Sequence, residues 1–179
     1  MRAAVVTGCL AALALTAGCG SSSSSMTGTE TFTSGVVTTP SILNSNNPVI
    51  PLTYKGVVPA TGTFPLGGGN GPSPGQQKTF VTSKGDMVLQ VVTAKNVVRF
   101  LDKKTCVAQN ITVVHYTVVG GKSTGSFAGA TGSGVVQVLF QANSELHGKC
   151  SLAQNAGPAT LKGAYVLLSG AGPMTAPKA

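Results

Sequence analysis

The stretch that decides the fold is residues 120–142, GGKSTGSFAGATGSGVVQVLFQA. Its first half is mostly Gly, Ser and Thr around one aromatic residue, Phe127, and its second half alternates like a β-strand. Residues 111–119, ITVVHYTVV, form a second apolar run, in which both alternate faces are apolar. The pattern predicts two strands joined by glycines that allow tight turns and close backbone approach.

Short apolar segments separated by turn-forming residues recur elsewhere. Examples are residues 87–94 (MVLQVVTA) and 96–101 (NVVRFL), with a turn expected at 93–95, and residues 161–168 (LKGAYVLL). No stretch has the i, i+3, i+4 pattern of an amphipathic helix over more than two turns. The expected fold is all-β, either a small antiparallel barrel of about eight strands or a β-sandwich.

The amino terminus has the parts of a bacterial export signal. Arg2 supplies a positive charge, residues 3–14 (AAVVTGCLAALA) are apolar, and residues 15–19 (LTAGC) place small residues before Cys19. This pattern resembles the lipobox of bacterial lipoproteins, although Thr16 stands where Leu is commonest. The resemblance implies a diacylglyceryl group on Cys19 and cleavage just before it. The alternative is an ordinary signal peptide, which would leave Cys19 as a free thiol.

These features divide the chain into four parts. Residues 1–18 are the predicted signal, and residues 19–47 carry the lipid and form a flexible tether, because a Ser/Thr/Gly-rich segment buries too little apolar surface to become ordered. The alternative for part of the tether is a short first strand at residues 32–38. The β-domain spans 48–170, and residues 171–179 (AGPMTAPKA) are expected to be a disordered tail. The protein is therefore expected on the extracytoplasmic face of the bacterial cell membrane, anchored by its lipid.

The net charge and the distribution of the basic residues limit the kinds of binding partner that we expect. The chain has 12 Lys+Arg against 4 Asp+Glu, a net charge of +8, but its cations are scattered and the densest cluster is Lys103-Lys104. Nucleic-acid-binding proteins normally have a denser basic patch. We therefore expect no nucleic-acid partner. The expected partners are the membrane, through the anchor, and either an acidic envelope polymer or an apolar small molecule.

Two cysteines remain in the predicted mature domain, Cys106 and Cys150. Disulfides form in oxidising, exported compartments, so a bond between these two cysteines is expected. It would enclose both central strands and the glycine-rich connection. A zinc site or a catalytic thiol is the alternative, but the clustered cysteine and histidine ligands typical of zinc are missing from the sequence.

Few residues suit catalysis. The chain has two histidines and four acids, and neither GSFAG nor GSGV fits the Gly-x-Ser-x-Gly nucleophile motif. We predict no catalytic residues, metal or cofactor. His115, on a mostly apolar strand and therefore expected to be buried, and Arg99 are retained as candidates for lining a pocket.

Residues 124–135, TGSFAGATGSGV, resemble a segment of secreted bacterial β-barrel proteins that share their general shape with allene oxide cyclases and dirigent proteins. The resemblance implies an eight-stranded barrel with an apolar interior and transfers no catalytic residue. The matching positions are Gly125, Phe127, Gly129, Ala130, Gly132 and Gly134.

Two functions of different class are consistent with these observations. One is a non-catalytic lipoprotein that binds a partner or carries an apolar molecule in the barrel mouth. The other is a cyclase- or isomerase-like enzyme that works by the shape of an apolar pocket. A deep pocket containing His115 or Arg99 would favour the enzyme.

Overall fold

The computed structural model of the chain describes residues 24–38, 49–65, 72–143, 145–146, 148–151 and 165–178. The predicted signal and Cys19 lie outside these residues.

The described residues form eleven strands and one 3₁₀ turn. They are β1 (Ser25–Ser34), β2 (Val37–Thr38), β3 (Val49–Lys55), β4 (Ala60–Pro65), β5 (Gln77–Thr82), β6 (Gly85–Asp102), β7 (Val107–Val118), η1 (Gly125–Phe127), β8 (Thr131–Asn143), β9 (Glu145–Leu146), β10 (Lys149–Cys150) and β11 (Tyr165–Pro177). None of the described segments is a helix with the length and apolar character needed to span a bilayer.

Eight strands form an antiparallel sheet that closes into a ring. Their order is β1-β3-β4-β5-β6-β7-β8-β11, and β11 pairs back onto β1. The short β2 extends the pairing of β11, and β9 and β10 form a separate hairpin. The all-β prediction is confirmed, and the closed ring corresponds to the barrel alternative with about eight strands.

Aromatic side chains fill the middle of the ring. Phe32 on β1 is 1% exposed, and its ring centroid lies 5.6 Å from Tyr54, 5.3 Å from Phe80 and 6.1 Å from Tyr116. Phe32 lies directly opposite Gly170 of β11, where an added Cβ would overlap the Phe32 ring. The missing side chain of Gly170 therefore makes room for the central aromatic residue.

The glycine-rich connection closes one end of the ring, which we call the closed end. Phe127 of η1 is fully buried beneath it, and the Ser123 hydroxyl accepts a hydrogen bond from the Val88 amide at 3.0 Å. Gly125 and Gly129 have φ angles of 57° and 73°, which favour glycine. The expected role of these glycines in tight turns is confirmed.

The predicted tether and tail are wrong for residues 25–34 and 171–177. Residues 25–34 are β1, which pairs with β11 along nine residues and with β3 along four. Its composition is polar, but only alternate residues near its end point inward, and backbone pairing satisfies the rest. The last half of β11 likewise buries Met174 and Ala176 although it contains glycine and proline.

The turn expected at 93–95 is also absent from the described residues. β6 continues through this point, and a β-bulge between Val91 and Thr93 shifts its register against β7. The bulge bends the strand and lets it keep pairing. β7, whose two faces are both apolar in sequence, has exposed His115 and Thr117 on its outer face.

A disulfide joins Cys106 and Cys150, as predicted, with their Cα atoms 4.8 Å apart. It ties the β9–β10 hairpin to the turn between β6 and β7 and encloses β7, η1 and β8. Closing a loop of this length stabilises a fold by about 4 kcal/mol in the chain-entropy model.

Candidate functional site

The other end of the ring contains an apolar cavity. Open end is our label for the end toward which β6 continues to Asp102, beyond Gln90, the residue opposite the start of β5, among the described residues. The cavity has a volume of about 140 Å³. Its lining residues are Phe64, Pro72, Lys78, Phe80, Leu89, Val91, Thr112, Val114, Tyr116, Val136 and Val138.

The strand period explains why these residues meet. On β7, Thr112, Val114 and Tyr116 share the inner face, and in register Val114 lies opposite Val136 of β8. The deeper lining residues are buried and the others are half-buried, Val138 among them. The cavity is therefore a gap in the apolar core that reaches toward the surface at its rim.

The β4–β5 side of the ring contributes the rim of the cavity. β4 and β5 share only the pairs Gly62–Thr82 and Thr63–Val81 among the described residues. Beyond these pairs, Phe64 stacks on Phe80 with ring centroids 4.7 Å apart. Because a sheet keeps its wall closed only where strands pair, this short pairing leaves space between the two strands.

Lys78 is the charged residue of the cavity lining. It lies opposite Leu89 in the β5–β6 register and two residues before the buried Phe80, so it belongs to the inner face of β5. Lys78 is half-buried. Of the acids whose side chains are described, Glu30, Asp86 and Asp102, none lines the cavity.

A second polar group lies within the ring, toward the closed end. Glu30 is 2% exposed, and its Oε2 accepts a hydrogen bond from the Val58 amide at 2.9 Å. The other carboxyl oxygen, Oε1, and the hydroxyl of buried Tyr54 have no hydrogen-bond partner among the described residues. Burial raises the pKa of Glu30 above its ordinary value, and the amides of Val58 and Val57 offset part of this effect.

The two phenols near Glu30 are held in their neutral form. Burial, followed by the charge of Glu30, raises the pKa of Tyr116 to about 12. The same causes raise the pKa of Tyr54 further. Both phenols therefore remain protonated at neutral pH, and Tyr116 also contributes to the cavity lining.

The two residues that the sequence suggested for a pocket do not reach this cavity. His115 faces outward and is exposed, beside a shallow depression next to the small residues Gly134 and Gly172. Arg99 is exposed, and its guanidinium donates hydrogen bonds to Oε1 of Gln109 at 3.1 and 3.3 Å. The expectation of a buried His115 is wrong. His115 lines the surface depression and not the cavity inside the ring, and Arg99 does not line the cavity.

Neither Lys78 nor Glu30 was singled out by the sequence. The alternation in KTF, residues 78–80, could have placed Lys78 on the same face as Phe80. Glu30 lies in a Thr-rich segment whose polarity hides that it is a strand of the ring.

The cavity lining is mostly apolar. Within the described parts of the chain, no three His, Cys, Asp or Glu side chains come together as metal ligands. The cavity walls instead offer apolar contact, one ammonium, one phenol and one hydroxyl, the last from Thr112. Comparison with protein-family models, with curated proteins and with solved structures finds no match for this chain.

Proposed function

We propose that this protein is a lipid-anchored lipoprotein of the bacterial cell envelope whose closed sheet binds an apolar small molecule without changing it chemically. The observation that supports binding is the cavity at the open end, about 140 Å³ in volume and walled by buried apolar side chains. A dry apolar cavity of about 150 Å³ is large enough to hold benzene. The ligand, or the part of it that is enclosed, is therefore of about this size.

The anchor in this proposal rests on the sequence of residues 15–19. Acyl labelling of cells producing the wild type or Cys19→Ala is expected to label only the wild type, because the variant lacks the thiol that receives the lipid. A nearby change that keeps the thiol, Ser23→Ala, controls for effects on expression. Equal labelling of wild type and Cys19→Ala would contradict the lipid anchor and leave the cavity proposal standing.

Ligand binding is tested by filling the cavity. Val138 lies on its rim, and the next residue, Leu139, lies on the outer face of the same strand at similar burial. We expect Val138→Phe to abolish the binding of toluene and Leu139→Phe to leave it unchanged. The measurement is the titration of backbone amide NMR shifts of the ring strands with toluene, on the full mature chain.

The outcomes separate the possible functions. Loss of binding in both variants, or in neither, would contradict binding inside the ring. An acidic envelope polymer, the other expected partner, would bind through surface lysines and would be insensitive to Val138→Phe. A cyclase- or isomerase-like enzyme remains the second candidate, because the phenol of Tyr116 reaches the cavity; it requires that a bound ligand be recovered chemically changed.

A further inference from the structure

Lys78 occupies an unusual place for a lysine. It is an inward-facing residue of the ring, half-buried, and the residues beside it on the cavity wall are Phe80, Leu89 and Pro72. Most lysines keep the ammonium in water while the aliphatic part covers apolar surface. Here that apolar surface is the lining of a cavity, so the aliphatic part of Lys78 and the enclosed ligand would share the same wall.

None of the acidic residues whose side chains are described lines the cavity. Glu30 is held by the Val58 amide toward the closed end, and Asp102 accepts hydrogen bonds from the Lys104 amide and the Thr105 hydroxyl, each at 2.8 Å. Asp86 lies at the start of β6, where its amide is bound by Thr124 of the closed end. Among the described residues, the Lys78 ammonium therefore forms no salt bridge.

A cation beside an apolar cavity is favoured when a ligand supplies the opposite charge. Charge-assisted hydrogen bonds are stronger than neutral ones, and the cost of partly desolvating the ammonium is offset only when an anion is bound. The excess of basic over acidic residues, a net charge of +8 over the full chain, adds an attractive field for anions. Both effects select for an acid over an uncharged molecule of the same shape.

We propose that the cavity binds a small monocarboxylate, with the apolar part enclosed by the ring and the carboxylate at Lys78. This inference rests on the proposed function and names the class of its ligand. The size of the cavity limits the enclosed part to about that of a benzene ring. The competing possibility is a neutral polar ligand whose oxygen or nitrogen is held by the hydroxyl of Thr112.

The test compares an acid with its own ester. Phenylacetate and methyl phenylacetate share the apolar ring and differ in charge. For the mature wild-type protein we expect phenylacetate to bind about tenfold more tightly than the ester, measured as dissociation constants by amide NMR titration. In Lys78→Met, which keeps a long apolar side chain, the acid and the ester should bind equally.

The control is Lys95→Met, which removes the same charge from an exposed position on β6 that does not line the cavity. It should keep the preference for the acid. Equal affinity of acid and ester in the wild type, or a preference that survives Lys78→Met, would overturn the monocarboxylate inference while toluene binding still supports the cavity. If toluene, acid and ester all fail to bind, the proposed function itself falls. Folding of each variant is checked by the dispersion of its amide spectrum.

Discussion

Replacing Phe32 with Ala is expected to lower the free energy of unfolding by about 4 kcal/mol. Phe32 is 1% exposed and packs against Tyr54, Phe80 and Tyr116, so its removal would leave a void that these rigid rings cannot fill. The milder Phe32→Leu should cost about 1.5 kcal/mol and keeps the effect measurable if the alanine variant does not fold. Urea denaturation monitored by circular dichroism gives both values.

The contact between Phe32 and Gly170 allows a second test of the packing around Phe32. An added Cβ at residue 170 would overlap the Phe32 ring, and we expect Gly170→Ala to cost about 2 kcal/mol. Combined with Phe32→Leu, it should cost less than the sum of the two single changes, since the smaller side chain relieves the overlap. Gly121→Ala is the control, because a Cβ there meets nothing within 4 Å. Strict additivity of the two changes would contradict the contact.

The second large effect is the pH dependence of stability that we expect from the buried acid Glu30. Glu30→Gln is expected to become progressively more stable than the wild type as pH rises above 4.5 and through the raised pKa of Glu30. Burial raises the folded-state pKa of Glu30 above its ordinary value of 4.5. The stability that Glu30 contributes is therefore fully present below pH 4.5 and is lost as pH rises through the raised pKa. The difference between the variants should grow by about 1.4 kcal/mol for each pH unit in that window.

The groups that face Glu30 do not change the direction of this pH dependence of stability. Tyr54 and Tyr116 stay protonated over the whole range, and the amides of Val57 and Val58 do not titrate. Asp86→Asn controls for removing one negative charge from a chain with net charge +8. Denaturation curves at five pH values provide the measurement. A constant difference between wild type and Glu30→Gln would show that the Glu30 pKa is not raised.

The period-two pattern and the glycine-rich connection were enough to predict the central part of the fold. β7, the connection and β8 fall where residues 111–142 predict them, and the disulfide encloses them as expected. The pattern failed for β1, because a strand in a closed ring needs few inward apolar residues once its backbone pairs on both sides. It also failed at β6, where a bulge and a turn have similar sequence signals.

The candidate site could not be predicted for a related reason. Whether an inward position is filled or empty depends on side chains from β4 to β8 that are distant in sequence, such as Phe64 and Val138. Local chemistry drew attention to His115 and Arg99, which are rare residue types in apolar segments, but both face outward. The charged residue that does line the cavity is Lys78. Lysine is a common residue type in this sequence, but Lys78 faces the inside of the ring.

The position of the first described residues in the ring decides which end would lie near a lipid on Cys19. The Ser24 carbonyl accepts a hydrogen bond from the Lys178 amide at 2.8 Å, and Pro177 lies beside Gly129, so the chain enters the ring at the closed end. From Cys19 to Ser24 is five residues, which reach at most about 18 Å. The 13 residues of β8 rise about 3.3 Å each, and with the usual strand tilt they separate the two ends by about 30 Å.

A lipid on Cys19 would therefore hold the closed end near the bilayer and turn the cavity mouth away from it. Molecules would then arrive from the aqueous space of the envelope and would not have to leave the lipid phase. That route favours a water-soluble acid over a long-chain lipid. With a lipid on Cys19, the short segment before the first strand would act as an orienting spacer and would set the compartment from which the cavity takes its ligand.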